Sequence, residues 1–404
     1  MRILFLSDNF PPEYNAPATR TYEHCREWVK LGASVTVITC FPNFPQGKIF
    51  SGYKNRLYQK DYLDGIEVIR VWSFISSNKG FFKRTIDFLS YAFMAFFVGL
   101  RVKTDVIIAT SPQFFTAVSG FCLSVFKRKK WIMEVRDLWP ESISAVNAVK
   151  TSIILKWLEK LELYLYKRST KIIVVTDAFK ENITGRGIPE GKIHVVKNGA
   201  NLSLFKPRSI NDSIKQKLNI NGSFIIGYIG THGLAHSLNF IVRSLNKIND
   251  DGIKFLFVGD GAEKENVVQL AKKLALDNVI FSDPIEKNEV PNYLSVVDVA
   301  LVPLRRSNTF KSVIPSKIFE SAAMGKPILL GVDGESRRII EKYNAGLFFE
   351  PENENDFVKK VKQIKDKSAT GQFVKGCADL ASDFDRNKLA QEMFYVIKNV
   401  RGSS

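Results

Sequence analysis

Cysteine is scarce in this 404-residue chain, and the four present (Cys25, Cys40, Cys122, Cys377) lie far apart with no Cys-x-x-Cys. That spacing argues against a disulfide framework and predicts reduced, buried thiols in a cytoplasmic protein. The four histidines show no metal-ligand spacing, and no paired acidic metal motif occurs, so neither metal nor other cofactor is expected. No Gly-x-Gly-x-x-Gly follows the first strand, which removes the dinucleotide fingerprint. No apolar run reaches the roughly 20 residues that a membrane-spanning helix needs. The opening Met1-Arg2-Ile3-Leu4-Phe5-Leu6 is too short for a signal peptide and reads as a first strand.

What the chain does have is positive charge. Its formal net charge is +17 within an otherwise ordinary composition, 45% hydrophobic and 25% charged. Residues 1–200 carry 29 Lys+Arg against 17 Asp+Glu, so most of the excess lies in the first half. Nucleic acid, acidic lipid and phosphorylated carriers are the anionic partners that such an excess fits. The length suits two domains of about 150–200 residues, each able to bury its own core.

The stretch around which the chain is organised runs from Pro315 to Pro327, followed by the apolar Ile328-Leu329-Leu330. It reads as a helix opening on Pro315 and closing at Gly325, then a buried strand. Such a helix directs free amides and partial positive charge at whatever lies before Ser316 and Lys317. Glu320, about one turn in, can accept from neutral hydroxyls. Diphosphate at the amides and ribose at the carboxylate would satisfy both features; an amphipathic helix with a surface glutamate fits the same residues.

Pro-Ser-Lys-x-x-Glu followed by Gly-Lys-Pro resembles the donor-site helix of retaining GT-B glycosyltransferases of family 4, and the resemblance spans nearly the whole chain. It is nearest to the surface-polysaccharide branch that includes N-acetyl-L-fucosamine transferases. The resemblance implies an α/β fold of two Rossmann-like parallel-sheet domains facing each other across a cleft. Their expected limits are 1–205, with helix 388–404 packing back on it, and 206–387. It also implies that Glu320 holds the ribose of a nucleotide sugar. A second family glutamate, eight residues earlier, is Ser312 here.

In chain order, strand Ile3–Leu6 enters a loop rich in breakers, from Ser7 to Arg20; a helix to Leu31 and strand Ser34–Thr39 complete a β-α-β unit. The family often carries a Gly-Gly pair in that loop, near the donor phosphates. This chain has Asn15-Ala16-Pro17, with Arg20 as a source of charge. A strongly apolar helix, Leu89–Leu100, stands near Lys79, Lys83, Arg84 and the run Lys127–Lys130, a pattern that fits a membrane-facing patch or a merely solvated one. Strand Trp131–Val135 ends in Arg136-Asp137-Leu138-Trp139-Pro140-Glu141, and side chains there point into a ligand crevice. The motif resembles the branch's sugar-facing segment, which makes Asp137 the candidate for acceptor activation and Arg136 its counter-charge. An Arg–Asp surface pair is the alternative. The sequence Asn198-Gly199-Ala200-Asn201 through Pro207 resembles the family's end of the first domain.

Strand Phe224–Ile229 opens the second domain and leads into Gly230-Thr231-His232-Gly233-Leu234-Ala235-His236. Most family members place Arg and Lys in this loop to clamp the diphosphate. Here Thr231 and His236 stand roughly in those places, with His232 alongside; one histidine is expected to replace the clamp, with Arg305, Arg306, Lys311 or Lys317 adding charge. Asp283 and Ile285 fit the segment that reads the nucleobase. Helices are expected from Glu335 to Ser404, with Leu389–Val400 crossing back onto the first domain.

The resemblance implies a metal-independent enzyme that moves a sugar, such as N-acetyl-L-fucosamine, from a UDP-sugar to a polyprenyl-diphosphate-linked saccharide at the inner face of the cytoplasmic membrane. A GT-B-like UDP-sugar epimerase and a non-enzymatic protein that binds anionic surfaces are the alternatives. Nucleic acid is disfavoured because no aromatic-interleaved basic module appears.

Overall fold

The computed structural model describes residues 1–44, 46–75, 81–111, 113–138 and 153–402. Lys79 and the Trp139-Pro140-Glu141 end of the Asp137 motif lie outside them. The chain divides into two units, Met1–Lys197 with Arg386–Ser404, and Asn198–Asp385.

The first unit contains β1 (Arg2–Leu6), α1 (Ala16–Lys30), β2 (Ser34–Cys40), β3 (Tyr58–Leu63), β4 (Ile66–Val71), α2 (Phe81–Arg101), β5 (Val106–Thr110) and α3 (Phe114–Lys127). β6 (Lys130–Val135), α4 (Ile153–Arg168), β7 (Lys171–Val174), α5 (Asp177–Gly185) and β8 (Ile193–Val195) follow. The sheet order is β3-β4-β2-β1-β5-β6-β7-β8, parallel apart from the β3–β4 hairpin. That hairpin has a sequence signal that the reading above passes over: Asp64-Gly65 forms a two-residue turn with φ of 48° and 77°. Runs such as Ile3–Leu6 and Val106–Thr110 are buried along their length, as strands covered on both faces require.

The second unit contains α6 (Asp212–Lys217), β9 (Phe224–Ile229), α7 (Leu238–Leu245), β10 (Ile253–Val258), α8 (Lys264–Lys273), β11 (Val279–Ser282), α9 (Val290–Ser295) and β12 (Val299–Pro303). α10 (Lys317–Ala323), β13 (Ile328–Gly331), α11 (Glu335–Tyr343), β14 (Gly346–Phe348), α12 (Glu354–Ala369) and α13 (Val374–Asp383) complete it. Its six strands are all parallel, in the doubly wound order β11-β10-β9-β12-β13-β14. The expectation of helices alone after Glu335 is corrected by β14. Only three residues long, it pairs with β13 where Gly346 lies against the Ile328 carbonyl; a Cβ there would come within 1.9 Å of that oxygen.

The organising helix is shorter than its pattern suggested. α10 starts at Lys317, with Ser316 as its N-cap, and Pro315 accepts a tighter bond from the Ile318 amide at 3.1 Å. Its end is as read: Gly325, at φ +70°, donates to the Ala322 carbonyl while the Lys326 amide donates to that of Ser321.

The last helix, α14 (Arg386–Gly402), belongs to the first unit and covers α1. Trp28 is fully buried there, donates to the Ala390 carbonyl at 2.8 Å and stacks on Phe394.

Candidate functional site

In the second unit β9 is flanked by β10 and β12, so strand order reverses at its carboxyl end, the place where open α/β sheets bind ligands. The loops that meet there are built on close backbone approach. Gly230 has φ +146°, and a Cβ on Gly259 would lie 2.0 Å from the Gly230 carbonyl oxygen. A Cβ on Gly261 would lie 2.6 Å from the His232 carbonyl oxygen. Only glycine permits these contacts. The pair of loops is then stitched by the His232 amide to the Asp260 carbonyl at 2.8 Å and the Glu263 amide to the His232 carbonyl at 2.8 Å.

Lys317, the first residue of α10, reaches under this loop. Its Nζ lies 2.8 Å from where a Cβ on Gly230 would be, and 3.9 Å from the centre of the Tyr228 ring. The ammonium is buried and has no hydrogen-bond partner among the described residues. Burial brings its pKa down to about 7, against the opposing pull of Glu320. An uncompensated cation at the mouth of a strand-end crevice is costly unless an anion comes to it.

Glu320 sits one turn further along α10, almost fully buried, and bonds the Lys287 ammonium, which itself lies 4.8 Å over the Phe205 ring. Lys287 and Tyr228 are site residues that the sequence reading missed; Lys287 is 33 positions from Glu320 and no motif marks it.

The two histidines stand in the loop after β9. His232 is fully buried between Tyr228 and Phe257. Burial lowers its pKa to about 4 and that of His236 to about 3, with Lys317 adding to both shifts. With pKa values lowered in this way, each imidazole can offer a diphosphate a single N–H, the donor expected of a histidine in this loop, and Lys317 stands beside them as a source of charge. Thr231 is exposed, but its carbonyl accepts from the Tyr228 hydroxyl.

Other candidates line a different cavity, although the Arg305 amide is tied to the Ala235 carbonyl of this loop at 2.8 Å. Arg305 and Lys311 line, with Arg306, a cavity of about 260 Å³ that shares no lining residue with the small one at Lys317 and Glu320. Asp283 is exposed at the end of β11, and Ile285 packs beside it against the sheet. Ser312 donates to the Thr309 carbonyl at 2.9 Å and stays within its own turn.

In the first unit, β1 lies between β2 and β5, and the corresponding loops are those after Leu6 and Thr110. Asn15 caps α1, accepting from the Ala18 amide at 2.8 Å, and Ala16 is exposed at the helix start. Arg20 is a correction. It is turned inward, 2% exposed, paired with Glu134 at 2.9 Å and donating to the Val196 and Lys197 carbonyls, so it offers no charge to a loop ligand. Four residues past Ala16, the first residue of α1, it faces the core rather than the loop. Arg136 takes that position instead, its guanidinium donating to the Pro17 carbonyl at 3.2 Å. The Arg136 and Asp137 amides both donate to Ser111 Oγ, at 2.7 and 3.3 Å. Burial raises the Asp137 carboxyl to about 6, with Arg136 pulling the other way.

Residues 17–204 match the family described as Glycosyltransferase Family 4, and residues 210–379 match Glycosyl transferases group 1. TuaH of Bacillus subtilis, named as a glycosyltransferase of teichuronic acid biosynthesis, is 25% identical over 68% of each chain. An Escherichia coli enzyme, UDP-Gal:alpha-D-GlcNAc-diphosphoundecaprenol alpha-1,3-galactosyltransferase, is 23% identical over 61% of this chain and 62% of its own. Among solved structures, sucrose-phosphate synthase of Thermosynechococcus elongatus superposes with a TM-score of 0.78 at 15% identity, covering all of both chains. The Anabaena protein HepE, in complex with UDP-glucose, gives 0.73 at 16% identity over 99% of this chain and 100% of its own.

Proposed function

We propose that this chain, a glycosyltransferase of the GT-B fold whose halves are of the family 4 and group 1 types, is a retaining enzyme that moves a sugar from a UDP carrier to a polyprenyl-diphosphate-linked saccharide in cell-surface polysaccharide assembly. The observation that carries this reading is the unpartnered Lys317 ammonium beneath Gly230, with the Glu320 carboxylate one turn behind it. A diphosphate supplies the anion that Lys317 lacks, and ribose hydroxyls supply donors to Glu320, which now leans on Lys287. The UDP-glucose complex of the Anabaena neighbour supports the donor class, and the diphosphoundecaprenol relative supports the acceptor class.

In that reaction negative charge grows on the departing UDP. Lys317 meets it, together with the amides at the start of α10, in a place that costs no reorganisation at the moment of transfer. These groups do work that a divalent cation would otherwise do, so we assign no metal to the reaction. Asp137, ionised above about pH 6, is assigned to acceptor activation or to stabilising positive charge at the sugar carbon. Arg136 balances it. The resemblance of the sequence to N-acetyl-L-fucosamine transferases makes an N-acetylated 6-deoxyhexosamine the first sugar to examine.

The decisive experiment is a binding screen of the full chain against a panel of nucleotide sugars. UDP-linked members are expected to bind, and Lys317→Met to weaken them by about 10- to 100-fold, the worth of a charge-assisted hydrogen bond. Equal affinity of wild type and Lys317→Met would remove the reading. Incubation with donor alone separates transfer from epimerisation, since only an epimerase changes the sugar without an acceptor.

A further inference from the structure

The 260 Å³ cavity of the second unit is at the small end of ligand pockets, which run to about 300–1,000 Å³. It opens at the carboxyl ends of β12, β13 and β14 and is lined by four cations against two acids. Two of the cations are neutralised in place. Arg306 pairs with Glu350 at 3.2 Å, and Arg337 pairs with Asp333 at 3.6 Å while lying over the Phe348 ring. Arg305 and Lys311 have no carboxylate partner among the described residues.

Their backbones are nonetheless held firmly. The Arg305 amide donates to the Ala235 carbonyl at 2.8 Å. The Lys311 carbonyl is packed so tightly on Gly334, itself at φ +81°, that a Cβ there would come within 2.1 Å of its oxygen. Next to Lys311 stands Ser312, in the position where the family resemblance leads one to expect an acid. Two cations without a carboxylate partner among the described residues thus share one concave wall. Both side chains are exposed, and two like charges in a concave wall raise the local concentration of anions.

We propose that this cavity is a second oxyanion site, separate from Lys317, in which Arg305 and Lys311 hold a carboxylate or phosphate group of a substrate. It rests on the glycosyl-transfer reading for the identity of that substrate. Two sources share the chemistry: a carboxylate on the transferred sugar, or a phosphate of the acceptor's diphosphate. Arginine suits either through its planar pair of N–H donors.

The test titrates inorganic pyrophosphate into the full chain already saturated with UDP. One further equivalent is expected to bind, and an Arg305→Gln/Lys311→Gln double variant to weaken it at least tenfold. Glu350→Gln, which frees Arg306, is expected to tighten it, a gain that misfolding cannot mimic. No second equivalent, a double variant that binds like wild type, or one that loses UDP and pyrophosphate together would each overturn the proposal. Lys317→Met is expected to weaken UDP while keeping the pyrophosphate equivalent; UDP binding unaffected by that change undoes the transfer reading and leaves this site standing. The sources separate cleanly. Preference for UDP-glucuronate over UDP-glucose, lost in the double variant, points to the sugar carboxylate. Displacement of pyrophosphate by farnesyl diphosphate without that preference points to the acceptor. If neither occurs, the cavity has no substrate role.

Discussion

Lys317 is the residue on which stability and function pull apart. With its pKa near 7 in the folded chain against an ordinary value of 10.5, the unfolded chain binds more protons between those two limits. Burial of this ammonium therefore costs stability at and below pH 7, and the cost fades as pH rises toward 10.5. Lys317→Met is expected to raise the thermal midpoint at pH 7, by on the order of 1 kcal/mol of stability, while it weakens UDP-sugar binding. The same pKa sets a pH dependence on affinity. A diphosphate prefers the charged form, so UDP-sugar affinity should be greatest below pH 7 and fall up to tenfold per unit above it. A titration that stays flat from pH 6 to 9 would show that Lys317 does not touch the phosphates. Asp137 gives the opposite limb: kcat/KM should climb through pH 6 as its carboxyl ionises, and Asp137→Asn should remove that limb with a loss of about 10²–10⁴ in kcat. With Lys317 and backbone amides assigned to the leaving group, EDTA should leave activity unchanged; loss of activity restored by Mn²⁺ would count against it.

At the scale of elements, α2 and α3 present a surface that their sequences only hinted at. No helix among the described residues is long and apolar enough to cross a membrane. Yet Phe93, Phe97 and Phe126 are exposed, and Phe96 bridges the two helices by touching Phe97 and Phe126. On α4, Trp157 is also exposed, and Tyr164 packs on Phe121 of α3. Exposed Arg128 and Lys129 follow Phe126 at the end of α3, and exposed Lys83 and Arg84 stand in the first turn of α2, with Arg84 over the Phe88 ring. Aromatic side chains for the acyl boundary and cations worth about 1 kcal/mol each near anionic headgroups make a peripheral membrane contact the reading we favour. Phe93→Ser/Phe126→Ser should lower co-sedimentation with anionic liposomes while leaving UDP binding intact. Sedimentation equal on neutral vesicles and indifferent to salt would dismiss the contact. The apolar run of α2 was plain in the chain; Phe126 and Trp157 joined it only because α3 and α4 pack alongside.

Across the whole molecule, the first unit is held by long-range polar pairs that local patterning does not reveal. Arg20 and Glu134 are 114 positions apart and both 2% exposed. Arg20→Met takes from buried Glu134 its ion-pair partner, leaving Thr110 and the charge of Arg136, and should destabilise the first unit by up to about 3–5 kcal/mol, read as an earlier transition in urea. Ending the chain at Asp385 uncovers Trp28, removes Arg386 from Glu23 and should destabilise the same unit. The sequence by itself determined two α/β halves, the stop at Gly325, and a carboxylate one turn into a helix that follows a buried strand. These depend on periodicity, glycine stereochemistry and helical spacing, all local properties of the chain. Only the tertiary structure decided that Arg20 turns inward, that Arg136 stands at the loop in its stead, that Lys287 holds Glu320, and that burial lowers the pKa values of Lys317 and both histidines. Those outcomes depend on which groups distant segments bring within a few ångströms and how much water they exclude, and neither quantity is written in neighbouring residues.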